Sequence, residues 1–244
     1  SIESKYQVIE ANNGELGLKL AKKYIPNIII SDVMMPKMNG FDVCKNVKTT
    51  EATAHIPIIL LTAKTALDSK IQGLKYGADA YMSKPFNVEE LLVRVENLIE
   101  NRKKLQEIYS QSIETTDLSS TDSQFGKEKS FAKANVSSLD QEFLGKVNTI
   151  IYRHLDNETL SVDTILKEIA MSRGTLHRKL KALINQSISE LIRNTRLKEA
   201  MQLLQQKKGN VTEITYMVGF SSSKYFATKF KEKYGVPPSK ILET

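Results

Sequence analysis

The spacing of apolar residues changes character once along this chain, and that change limits the folds open to it. From Tyr6 to Ile99 short apolar runs alternate with amphipathic stretches, the pattern of an α/β domain with parallel strands. Tyr6–Ile9, Ile28–Asp32, Ile58–Thr62 and Ala80–Ser83 read as strands. Between them Leu16/Leu20/Tyr24, Val43/Cys44/Val47 and Leu67/Ile71/Leu74 recur at helical spacing and cover the sheet faces. After Ser137 the spacing is wholly helical, as in Leu144/Val147/Ile151/Leu155 and Leu191/Leu197/Met201/Leu204. The segment between is rich in Ser and Thr and poor in large apolar groups, which predicts a flexible linker. The reading is therefore two domains, α/β over 1–109 and all-α over 137–244, with a linker over 110–136.

A last helix of the first domain is expected after Asn87, a good N-cap, with Val88, Leu91, Val95, Leu98, Leu105 and Tyr109 on one side. Its last two turns overhang the domain. They read either as a pairing surface for a second copy or as a basic extension carrying Arg102, Lys103 and Lys104.

The net charge of +7 is unevenly spread. Residues 1–100 hold 12 basic and 12 acidic side chains, whereas 137–244 hold 17 and 11, so the excess is C-terminal and suits a polyanionic partner. A merely basic surface would give the same balance. The single cysteine, Cys44, excludes an intrachain disulfide or a zinc site of paired thiolates and fits a reducing cytoplasm. No apolar run approaches the roughly 20 residues of a membrane span.

Asp32, Thr62 and Lys84-Pro85 fall at or just after the C-terminal ends of successive strands, where the ligand crevice of an open parallel sheet lies. Singly, such an Asp is commonly a cap and Lys-Pro a bend. Together they make a phosphoryl site: a carboxylate that can attack phosphorus, a hydroxyl for the transferred oxygens and an ammonium to offset their charge. Ala63 leaves room beside the hydroxyl.

The segment Asp32-Val33-Met34-Met35-Pro36-Lys37-Met38-Asn39-Gly40, with Thr62-Ala63 and Lys84-Pro85-Phe86, resembles the response-regulator receiver family. The resemblance implies a flavodoxin-like domain in which a histidine kinase phosphorylates Asp32, Thr62 and Tyr81 form a switch pair, and Lys84 contacts phosphate. It implies that Asp32 and the Met34 carbonyl help bind Mg²⁺, and that the Lys84-Pro85 bond is cis. Phosphate at Asp32 would draw the Thr62 hydroxyl inward and let Tyr81 turn in. Against the family pattern, the first strand with its acidic pair and most of the first helix are missing. The chain reads as a fragment with an incomplete magnesium site, expected to be phosphorylated poorly by itself. It also leaves Ile28–Asp32 as an unpaired apolar edge.

In the second domain, Val162–Ala170 reads as a short helix started by Ser161, Met171-Ser172 as a turn, and Arg173–Ile184 as a helix burying Leu176, Leu180, Leu183 and Ile184. Its open face carries Gly174, His177, Arg178 and Lys181, with Arg173 and Thr175 at its start. The arrangement repeats downstream. Val211–Val218 is a helix, Gly219-Phe220-Ser221 a turn, and Ser222–Tyr234 a helix burying Phe226, Phe230 and Tyr234 beneath Ser223, Lys224, Thr228 and Lys231. Ser187–Leu204 reads as a long helix setting their separation, ideally about one DNA turn.

Met171–Lys179, Val218–Phe226 and Phe230–Ser239 resemble the AraC family of DNA-binding domains. By resemblance, Gly174, His177 and Arg178, then Ser223, Lys224 and Thr228, are the base-reading positions. The expectation is a phosphorylation-controlled transcription regulator, not itself an enzyme, that acts on double-stranded DNA, takes phosphate from a kinase phosphohistidine and pairs through its receiver or extended helix. Two alternatives stand beside it: the C-terminal part of a hybrid sensor histidine kinase, and a receiver-like docking module without phosphoryl chemistry.

Overall fold

The computed structural model describes residues 5–63, 76–115 and 138–243. The helix expected around Leu67, Ile71 and Leu74, and the linker from 116 onward, lie outside them. The chain divides into two compact units, one built chiefly from the segment ending at Tyr109, the other chiefly from the segment beginning at Phe143.

In the first unit α1 (Gly14–Tyr24) begins at Asn13, whose side chain accepts the Leu16 N–H at 2.9 Å, and ends at Ile25 in the left-handed region. β1 (Ile29–Asp32), α2 (Gly40–Thr49), β2 (Ile58–Thr62), β3 (Ala80–Ser83) and α3 (Val88–Thr115) follow. The strands are parallel in the order β1-β2-β3, with Ile29 opposite Ile58 and Ile59 opposite Ala80. β2 is central, and it is apolar up to Thr62 because both its faces are covered. Ile58 and Leu60 pack toward α1 and α2 with Val43, Cys44 and Val47. Ile59 packs the other way with Met82 and the α3 residues Leu91 and Val95. Lys48 braces this layer by pairing with Asp79 at 2.7 Å and donating to the Ile56 carbonyl.

Two expectations need correction. Tyr6–Ile9 is not a strand: Val8 and Ile9 are 43% and 46% exposed, and among the described residues the segment pairs with no sheet strand. A β-ladder needs a hydrogen-bonding neighbour, and β-prone residues alone do not supply one. Its Tyr6 still packs on the Ile59 and Met82 cluster. Second, α3 runs to Thr115, six residues into the expected linker. No Gly or Pro interrupts 110–115, and the Glu100–Lys104 ion pair supports the preceding turn.

The second unit is helical throughout its described residues: α4 (Ser138–Arg153), α5 (Val162–Ile169), α6 (Arg173–Ile184), α7 (Ile188–Gln205), α8 (Val211–Met217), α9 (Ser223–Tyr234) and α10 (Pro238–Leu242). Local capping sets the starts. Ser161 and Ser222 cap α5 and α9, while Ser187/Glu190 and Asn210/Glu213 form capping boxes on α7 and α8. The amino-terminal half of α7 buries Leu191 and Ile192, and its carboxyl-terminal half puts Leu197, Ala200 and Leu204 under α8 and α9. There Phe220, Phe226, Phe230 and Tyr234 stack in sequence, with centroids 5.2, 5.5 and 4.7 Å apart. Tyr234, expected to be buried, is only half-buried at the edge of this stack because α9 ends there at Gly235.

Candidate functional site

Parallel pairing brings the C-terminal ends of β1, β2 and β3 to one edge, and with them Asp32, Thr62 and the start of the Lys84 turn. The Lys84 ammonium bonds directly to one Asp32 oxygen, and the Met34 N–H donates to the other at 3.1 Å. Burial pushes the Asp32 carboxyl up, but the Lys84 hydrogen bond, the Met34 amide and the Lys84 charge together hold it below the usual carboxylate range. The Lys84-Pro85 bond is cis, and the Lys84 N–H donates to the Thr62 carbonyl at 2.7 Å.

Tyr81 lies opposite Leu60, and Leu60 and Thr62 share a face, so Thr62 and Tyr81 are diagonal neighbours on one side of the sheet. The Tyr81 hydroxyl is already buried without a hydrogen-bond partner, and burial raises its pKa well above the ordinary phenol range. The Tyr81 ring packs against the α1/α2 core.

Asp32 and the Met34 carbonyl are the magnesium ligands that the resemblance assigns among the described residues. Both Asp32 oxygens are engaged, and no group of three or more His, Cys, Asp or Glu side chains gathers among the described residues. A Met34 carbonyl and one carboxylate fall short of the near-octahedral oxygen set Mg²⁺ requires.

Gly40 is a site residue whose role the sequence did not disclose. A Cβ there would stand 2.3 Å from the Asp32 carbonyl oxygen and 3.0 Å from the Val33 Cα, while the Gly40 N–H donates to the Val33 carbonyl. The start of α2 thus presses on the backbone that carries Asp32. Gly40→Ala is expected to cost about 1–3 kcal/mol through overpacking against backbone that cannot move aside. Urea denaturation followed by circular dichroism measures this, and an unchanged midpoint would refute the tight approach.

In the second unit the predicted inner residues of α6, Leu176, Leu180, Leu183 and Ile184, are all buried. Gly174, His177 and Lys181 are exposed and Arg178 is half-buried. Arg173 pairs with Asp163 at 2.7 Å, Lys181 donates to the Asn185 carbonyl, and Thr175 shares a hydroxyl contact of 2.8 Å with the capping Ser172. Arg173 and Thr175 are therefore partly committed to holding the helix start. On α9, Lys224, Thr228 and Lys231 are exposed and Ser223 is half-buried; the Thr228 hydroxyl donates to the Lys224 carbonyl.

Two buried cations went unread. Lys179 is fully buried, its ammonium 4.3 Å from the Phe143 ring centroid. Its position three residues after Leu176 was the available signal, since that spacing returns to the inner face. Arg196 on α7 is nearly buried and donates to the Asn157 carbonyl at 2.6 Å.

Comparison with known proteins follows the same division. Residues 1–96 match the response regulator receiver domain family, and 165–244 match a helix-turn-helix domain family. Histidine kinase P4 of Formosa agariphila is 39% identical over 238 residues, which cover 98% of this chain and 16% of the kinase; the chain thus spans about a sixth of that relative's length. The DNA-binding dual master transcriptional regulator RpaA of Synechocystis is 34% identical over 67% of this chain and 67% of its own length. Among solved structures, the Francisella response regulator 1452 receiver domain is 32% identical, with 41% of this chain and 80% of that chain covered and a TM-score of 0.38.

Proposed function

This chain belongs to the response-regulator family, carrying a receiver domain and an AraC-type helix-turn-helix domain, and from that premise we propose that it is a sequence-specific transcription regulator switched by phosphorylation of Asp32. The observation that carries the proposal is the Asp32–Lys84 contact at the carboxyl edge of the sheet, in a chain that also holds two helix-turn-helix units. The receiver is taken as 1–109, the linker as 110–136 and the DNA-binding domain as 137–244, apart from the helical 110–115.

In this reading an Asp32 oxygen attacks the phosphorus of a kinase phosphohistidine, forming a P–O bond as the P–N bond breaks and the imidazole leaves. The Lys84 ammonium, already on Asp32, is placed to offset the added charge, and the Thr62 hydroxyl to meet the phosphoryl oxygens. Phosphorylation then favours pairing of receivers, which raises the effective concentration of the second DNA-binding domain. The 39% identity to a histidine kinase over nearly the whole chain favours a particular setting, the receiver and output portion of a hybrid kinase that acts in the cytoplasm. No described helix is long and apolar enough to cross a membrane.

DNA binding supplies the test. Affinity is expected to fall steeply as salt rises, because Lys and Arg contacts release counterions. Arg178→Ala is expected to cost about 1–3 kcal/mol and relax preference at one base position. Uniform loss across all sequences would make Arg178 a phosphate contact, and unchanged binding would remove α6 from the interface.

A further inference from the structure

We infer that Gly174 is a specificity determinant of α6 that acts through Arg178: the missing side chain forms a seat in which the Arg178 guanidinium lies, so that Arg178 reads the base facing position 174. The inference rests on the reading that α6 enters a DNA groove.

Side chains on a helix lean toward its amino terminus, so a long one covers the turn before its own Cα. Arg178 lies one turn after Gly174 and does this. A Cβ on Gly174 would stand 3.3 Å from Nη1, 3.4 Å from Nη2 and 3.6 Å from Cζ of Arg178. The Nη end of the guanidinium thus lies against the bare backbone. A Cβ at 174 would ask it to give by a few tenths of an ångström, and a longer side chain there would compete with it for the same space.

The guanidinium is only partly compensated there. Its Nε is buried and lacks a hydrogen-bond partner. The other cations of this helix are engaged: Arg173 with Asp163, Lys179 over Phe143 and Lys181 with the Asn185 carbonyl. The first turn of α6 holds no acidic residue, and a cation there faces the positive end of the helix dipole. Nothing in the helix itself draws the group to this place, while the open backbone at Gly174 accommodates it. The result is a planar fork carried to the leading end of the helix, the part that meets base edges in helix-turn-helix docking. A fork of that shape matches the O6 and N7 acceptors of guanine.

The experiment is a binding selection from randomised duplexes with the full chain, comparing the parent protein with Gly174→Met, Gly174→Ala and Arg178→Ala. The parent is expected to prefer guanine at one position by about tenfold or more, the discrimination of a good bidentate contact. Gly174→Met fills the seat and is expected to reduce that preference to about threefold or less, at the same position that Arg178→Ala relaxes. Gly174→Ala, which asks the guanidinium to give by a few tenths of an ångström, is expected to fall between. Circular dichroism and the unfolding midpoint of each variant should match the parent's, showing that the fold persists. If Gly174→Met fails to fold, Gly174→Ala, a better helix former, decides.

Guanine preference retained with the seat filled, or relaxed at a position different from that of Arg178→Ala, would overturn the inference while leaving the groove reading intact. An Arg178→Ala protein with unchanged base preference would likewise overturn the inference, and one with unchanged affinity besides would remove the groove reading with it.

Discussion

Gly219→Ala is expected to cost the helix-turn-helix domain about 3 kcal/mol and to abolish specific DNA binding. Gly219 sits in the turn between α8 and α9 with φ +79, and a non-glycine residue there pays about 1–2 kcal/mol for the left-handed backbone alone. The added methyl would also stand 2.3 Å from the Leu155 carbonyl oxygen and 2.8 Å from Nη2 of Arg196. Neither neighbour can give way cheaply. Leu155 belongs to a turn tied by backbone bonds to Ile151 and Tyr152, and the Arg196 guanidinium is fixed on the Asn157 carbonyl. Overpacking of this kind adds about 1–3 kcal/mol. Binding suffers with stability because Gly219 joins the second helix-turn-helix to the loop that follows α4, with Arg196 of the connecting α7 between them. Urea denaturation followed by circular dichroism, with binding to a selected duplex, gives both readouts. Truncating Arg196 should not rescue the variant, since the Leu155 carbonyl remains. A midpoint and affinity equal to the parent's would show that the turn is not wedged.

What could be read from the residues, and what could not, divides along the range of the interaction. β2 and β3 have the bounds that their apolar runs predicted, and α6 likewise, because the alternation of buried and exposed positions is written locally. The capping serines before α5, α7 and α9 are equally local signals. Tyr6–Ile9 failed for the opposite reason: pairing is a property of two segments, and one segment's composition cannot supply it. The approach of Asp32 to Lys84 was legible across 52 residues only because parallel topology sends both strand ends to one edge. Gly40 and Gly219 stood inside quoted motifs, yet their roles rest on close approaches to carbonyls, of Asp32 in the same motif and of Leu155 in a distant segment, which no pattern records. The same holds for Arg178, whose place depends on an absence at Gly174, and for Arg196.

The phosphoryl chemistry should depend wholly on one side chain. Asp32→Asn keeps an acceptor for the Met34 N–H but exchanges the nucleophilic carboxylate for a neutral amide that cannot form a stable acyl phosphate. The fold should barely notice. The Asp32–Lys84 pair is partly exposed, and pairs of that kind contribute about 0–1 kcal/mol after solvent screening. Any label that the receiver takes from a phosphohistidine donor should therefore require Asp32 and fall to background, by about a hundredfold or more, with Asn there. DNA affinity should then hold at its unphosphorylated level, with the unfolding midpoint nearly unchanged. Lys84→Met supplies the internal comparison: the nucleophile remains, the ammonium is gone, and the Asp32 carboxyl should titrate higher because its hydrogen-bonded cation no longer holds it down. Label persisting on Asp32→Asn would move the acceptor elsewhere. An unlabelled parent whose DNA binding ignores the donor would leave the receiver as a docking surface, and the geometry at the sheet edge would be that of an ion pair alone.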